Sequence, residues 1–137
     1  MKDPLLSLLR LRKQAMDDAR RMVAESLDAH HVAQHRLHLA EENLERETRA
    51  ASALDAGDGA VEAFARWLHI GQAEITRCRD TEREAGGAVD RARAALGLAR
   101  AAVEVVERLI ASRAEAEARQ AIRREQAQID ELRRRAL

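Results

Sequence analysis

Two long runs of this chain carry apolar residues in alternating steps of three and four, and a short break at Gly57-Asp58-Gly59 divides them. The first run passes through Leu9, Arg12, Met16, Ala19, Val23, Ser26, His30, Ala33, Leu37, Ala40, Leu44, Glu47, Ala51 and Leu54. The second passes through Leu68, Gly71, Ile75, Cys78, Glu82, Ala85, Val89, Ala92, Leu96, Ala99, Val103, Val106 and Ile110. A stripe with this period is the narrow seam of a coiled-coil helix. Two such helices joined by a short connection pack as antiparallel neighbours. The expected fold is all-α: an antiparallel coiled-coil hairpin forming a single domain over 1–137, with the second helix longer and overhanging.

Local signals set the boundaries. Asp3-Pro4 suits a helix start, because Asp caps the first turn and Pro at the first helical position loses no needed hydrogen bond. No Gly or Pro interrupts Leu5 to Leu54, a span of about 75 Å as helix. Gly57 is expected to supply a left-handed stop, and Asp58 or Gly59 to cap the second helix. Helix one is thus expected over about 4–56, the turn over 57–59 and helix two over about 60–134. Gly86-Gly87 lies inside helix two, where each glycine costs on the order of 1 kcal/mol relative to alanine. The seam keeps its phase across the pair, which favours one continuous helix with a soft spot over a three-helix bundle.

Beyond Ile110 the stripe continues as Ala114, Ala118, Ile122, Glu125, Ile129 and Leu132, with one extra four-residue step, a stutter. With the turn near residue 58, Leu9 faces roughly residues 107–110. Residues past about 113 then have nothing in helix one to pair with, and an isolated helix of that length frays unless a partner covers it.

Composition narrows the function. Hydrophobic residues make up 46% of the chain but aromatics only 1%, so a thick globular core is not available. A charged fraction of 35% suits long helices. The formal net charge is zero, which gives no bulk attraction to nucleic acid or anionic membranes. Residues 1–24 carry +3 and 113–137 carry +2, so the open end of the hairpin is basic and the remainder acidic. Leu5-Leu6-Ser7-Leu8-Leu9 is too short for a signal peptide, and no apolar run is long enough to span a bilayer. The expected location is the cytoplasm.

An enzyme is not expected. The chain has no tyrosine, no glycine-rich phosphate loop and no nucleophile elbow. Its carboxylates are spread over solvated faces, and no cofactor is expected. His31, His35 and His38 share a helix face at ligand-like spacing, a weak candidate for zinc or nickel. His30 falls on the seam, where a packed neutral ring is the simpler reading. Cys78, the single cysteine, also falls on the seam and reads as a small packed thiol.

Two places read as partner surfaces. Near the tip, Phe64, Trp67 and Leu68 stand at i, i+3 and i+4, and the same face extends to Ile75; aromatics are frequent interface anchors. They serve either to close the tip against Leu54 or to bind a partner. At the open end, Arg10, Arg12 and Lys13 lie with Ile122, Arg123, Arg124, Ile129 and Leu132. The acids among Arg119, Arg123, Arg124, Arg133, Arg134 and Arg135 make nucleic acid a poor partner.

The opening Asp3-Pro4-Leu5-Leu6-Ser7-Leu8-Leu9-Arg10-Leu11-Arg12 resembles that of flagellar export proteins of the FliJ type. Phe-Ala-Arg-Trp-Leu at 64–68 and Arg-Arg-Glu-Gln-Ala-Gln-Ile-Asp-Glu at 123–131 fit the same family, which also includes injectisome stalk proteins. The resemblance implies a cytoplasmic stalk of type III secretion. Its terminal end enters a hexameric export ATPase, another part meets the cytoplasmic part of the export gate, and export chaperones are further partners. It implies that the membrane is met only through these proteins, and that the Phe64, Leu68 and Ile75 face is the one turned to the gate. A self-assembling coiled coil with no export role is the alternative, and a basic helix binding membrane or nucleic acid a more distant one.

Overall fold

The computed structural model describes residues 3–53 and 55–137. Two helices account for nearly all of them: α1, Pro4–Ser52, and α2, Asp58–Ala136. They form a helical hairpin. The start of α1 is built as its sequence suggests. The Leu5 backbone N–H donates to Asp3 Oδ1 at 3.0 Å, and the Ser7 N–H donates to the Asp3 carbonyl at 3.3 Å. These bonds satisfy donors that the first turn would otherwise leave open.

The turn differs from expectation. Helix α1 stops at Ser52, earlier than residue 56, and α2 already begins at Asp58. No described glycine takes a positive φ, so Gly57 is not a left-handed stop. The Ala56 N–H bonds back to the Ala53 carbonyl and the Ala60 N–H to the Gly57 carbonyl, each at 3.0 Å. Asp58 in the first turn of α2 and Arg133, Arg134 and Arg135 in its last turn complement the helix dipole at either end. Leu54, the final position of the first seam, and Lys2 of the basic end lie outside the described residues.

By their contacts the residues fall into two units, Ala19–Leu96 and Met1–Asp18 with Gly97–Leu137. Within the first unit, Ala33, Ile75, Val89 and Ala92 are buried between the helices. Around them His30, Leu37, Ala40, Leu44, Leu68, Cys78, Glu82 and Ala85 are half-buried. Within the second, Val103 and Val106 are buried, while Leu5, Leu8, Leu9 and Ile110 are half-buried. Every seam position of α2 from Leu68 to Ile110 is at least partly covered. Arg12 and Glu47 of the α1 seam are exposed, since long charged side chains carry their heads out to water.

Helix α2 runs unbroken through Gly86-Gly87, so the three-helix alternative is excluded. Gly86 has a packing role: a Cβ there would lie 3.3 Å from His30 Nε2. Gly97 has none, for nothing stands within 4 Å of its missing side chain. Gly97→Ala is therefore expected to raise unfolding stability by about 0.5–1 kcal/mol, through backbone entropy alone. Urea melts of the two proteins measure it, and a loss of stability would show that the site is not open.

Candidate functional site

The tip patch is built by the first turns of α2. Phe64 and Trp67 stand with ring centroids 6.2 Å apart and planes tilted by 35°. The Trp67 indole lies over Gly71, whose added Cβ would come within 2.6 Å of Cη2. Glycine at this seam position is thus a seat for the ring. Phe64, Trp67 and Leu68 are half-buried. With Ala60 and Ala63 the two aromatics form one wall of an open groove, and Glu47, Ala50 and Ala51 of α1 form the other. Ala51 is a seam position of α1, whereas Ala50 was not singled out by the sequence; its place opposite the aromatics gives it a role.

Ile75 does not share this accessibility. It is 6% exposed, and its side chain belongs to the core between the helices. A partner reaching the tip would meet Phe64, Trp67 and Leu68, not Ile75.

Further along, the seam holds a polar pair. His30 Nε2 lies 2.8 Å from Glu82 Oε1, a hydrogen bond across the two helices. Their side chains are 24% and 31% exposed, so the pair is partly screened from water. Each residue is visible on its own seam, but the bond requires the cross-helix alignment. Cys78 packs nearby on α2 and its thiol donates to Glu74 Oε1 at 3.5 Å. Burial, with the adjacent Glu74 carboxylate, pushes the Cys78 thiol above its ordinary pKa, which opposes thiolate chemistry. Hydrogen bonds from Arg77 and Cys78 hold exposed Glu74 below the usual carboxylate range.

The three histidines of the shared face stand on the surface of α1. His38 Nε2 lies 2.9 Å from Glu42 Oε1, while His31 and His35 are exposed. Among the described residues no group of three or more His, Cys, Asp or Glu side chains is placed to hold a metal ion. All three residues of that face are exposed.

The open-end residues lie in the unit made of Met1–Asp18 and Gly97–Leu137. Arg113 Nη1 stands 3.6 Å from Asp3 Oδ1, so the capped start of α1 lies beside residue 113 of α2. Past that point α2 stays helical to Ala136, yet every residue from 114 to 137 except Asp130 is exposed. Ile122 and Leu132 are each 65% exposed and Ile129 is 40% exposed. Arg123 and Arg124 flank them in solvent, and Arg10, Arg12 and Lys13 are exposed on α1.

The fold and these uncovered stripes define a coiled-coil hairpin protein whose surfaces are helix faces. The model of the flagellar FliJ protein family matches residues 1–137, and the chain belongs to that family. It is therefore a component of flagellar type III export, from a family of non-enzymatic structural members. No curated protein and no solved structure matches it.

Proposed function

We propose that this protein is the stalk that couples a hexameric export ATPase to the cytoplasmic part of the export gate, with export chaperones as further partners. The observation that carries the reading is the helical segment 114–137, whose apolar Ile122, Ile129 and Leu132 stripe lies exposed between arginines. Holding such a stripe in water is unfavourable, and a partner that covers it recovers the apolar burial. The exposed cations Arg10, Arg12 and Lys13 add a basic surface suited to an acidic cavity. Phe64, Trp67 and Leu68 are the anchors proposed for the gate. No helix among the described residues is long and apolar enough to cross a membrane; in this reading the protein works in the cytoplasm and meets the membrane through its partners.

The test is a pull-down of the full chain against the export ATPase and the cytoplasmic gate domain, with motility scored after gene deletion. Binding to both and loss of swimming are expected. Failure to bind either, with motility intact, would overturn the coupling role and leave a coiled coil of other use.

A further inference from the structure

Within the Ala19–Leu96 unit the two flanks of the seam are unlike. From Ala33 to Ala51 on α1, the residues one place before each seam position are Val32, Arg36, Leu39, Asn43, Arg46 and Ala50. From Leu68 to Glu82 on α2 they are Trp67, Ile70, Glu74, Arg77 and Thr81. In an antiparallel pair, residues at the same offset from the seam on both helices fall on the same side. This side therefore gathers four large apolar residues: Val32, Leu39, Trp67 and Ile70. The residues one place after the seam include none. Their charges, Glu41, Glu45, Arg79 and Arg83, balance, and Glu41 lies 3.8 Å from Arg79 across the helices.

The apolar side is open and grooved. Val32 is 51% exposed, Leu39 45% and Ile70 64%. One open groove runs between Ala33 and Arg36 of α1 and Cys78 and Thr81 of α2. The tip groove beside Trp67 lies on the same side. The charges here do not balance. Arg77 is bonded to Glu74, but among the described residues no carboxylate stands within ion-pair distance of Arg36 or Arg46. Even with Glu47 of the seam counted, which borders the tip groove, three arginines stand against two glutamates.

We infer that this side seats an acidic amphipathic helix of a partner protein, laid along the hairpin as a third helix. The inference rests on the reading of the tip as a partner surface, shares Trp67 with it, and adds what the partner must present. An apolar helix face laid into a groove between two helices is a recurrent mode of recognition. Here that face covers Val32, Leu39, Trp67 and Ile70, and its carboxylates meet the two unpaired arginines. Charge selects the occupant, because complementary charges fix the register of a helix and like charges exclude it. Arg36 and Arg46 stand about 15 Å apart along α1, so the partner's carboxylates are expected about three turns apart, with apolar residues between them. A second copy offers no match through its 114–137 stripe, which carries six arginines against five acids.

Trp67 is the only tryptophan of the chain, so its fluorescence reports directly on this side. The full chain is titrated with a synthetic amphipathic peptide of about 20 residues, leucines on one face and glutamates on the other, and with the same peptide carrying lysines. The acidic peptide is expected to shift Trp67 emission to shorter wavelength and to bind at least about 10-fold more tightly than the lysine form at low salt. Arg36→Glu with Arg46→Glu should reverse that preference, and Leu39→Asp with Ile70→Asp should abolish binding of either peptide. All four side chains are exposed, so helical content and thermal melts should be kept. Glu41→Gln with Arg79→Gln, on the opposite side, should leave the preference intact. Equal affinity for the two peptides, tighter binding of the lysine form, no shift of Trp67, or a preference untouched by the arginine pair overturns the proposal. So does a shift that follows the chain's own concentration without peptide, which makes the occupant a second copy, or one produced by anionic lipid vesicles. The peptides are not export proteins, so this test fails or succeeds independently of the pull-downs against the ATPase and the gate.

Discussion

Replacing Ile75 by aspartate lowers the melting temperature by about 10–20 °C, whereas the same replacement at Ile70 leaves it nearly unchanged. Ile75 is 6% exposed and Ile70 64%, on the same helix and five residues apart. The first change removes a buried aliphatic side chain and installs a charge where water cannot follow. Loss of the packed side chain alone costs about 2–5 kcal/mol, and the stranded carboxylate adds to it. For a chain of this length each kcal/mol moves the midpoint by about 3–5 °C. The core has few members to share the loss: among the described residues of that unit, Ala33, Val89 and Ala92 are the other buried apolar side chains. At Ile70 an exposed residue is exchanged for another, within about 0.5 kcal/mol. Thermal melts followed by circular dichroism decide it. Equal effects at both positions would mean that the seam does not hold the hairpin together.

The second large effect is on binding. Under the proposed stalk role, Ile122→Asp with Leu132→Asp weakens association with the export ATPase by at least about 100-fold. Both side chains are 65% exposed, so the free protein should melt as the wild type does. Separate Arg123→Ala and Arg124→Ala changes should act differently, reducing the association rate most at low salt, because exposed charges steer encounters and are screened by ions. Surface plasmon resonance at two ionic strengths separates the two contributions. An unchanged affinity in the Asp pair, with the chain still binding the ATPase, would move the docking surface elsewhere.

Much of this architecture was legible because the seam repeats with a period only a packed helix pair uses. The α2 seam from Leu68 to Ile110 could be read off position by position, and the phase across Gly86-Gly87 correctly kept one helix. The turn was less legible. Gly57 suggested a left-handed stop, but backbone bonds near Ala53 and Ala56 end α1 without one. The tip face was half legible: spacing placed Ile75 with Phe64 and Leu68 on one face, yet spacing does not tell a covered residue from an open one. His31, His35 and His38 made only a weak metal candidate in the sequence, since a shared helix face is not by itself a shared coordination sphere. The His30–Glu82 bond joins residues 52 positions apart, a pairing that only the alignment of the two helices supplies.

That bond also limits how the helices can slide. Alanine-rich seams are repetitive, and a shift of one heptad exchanges one small apolar neighbour for another at modest cost. His30 and Glu82 break that equivalence. Moved by seven residues in either direction, His30 would meet Ile75 or Val89, both buried, instead of its acceptor. The space left by Gly86, against which His30 now lies, would be vacated as well. Both polar groups would then sit on the seam without a partner. A single polar seam residue enforces one alignment by a penalty of this kind, at some expense of stability. The pair acts as a detent, holding two slippery helices at one fixed position along each other.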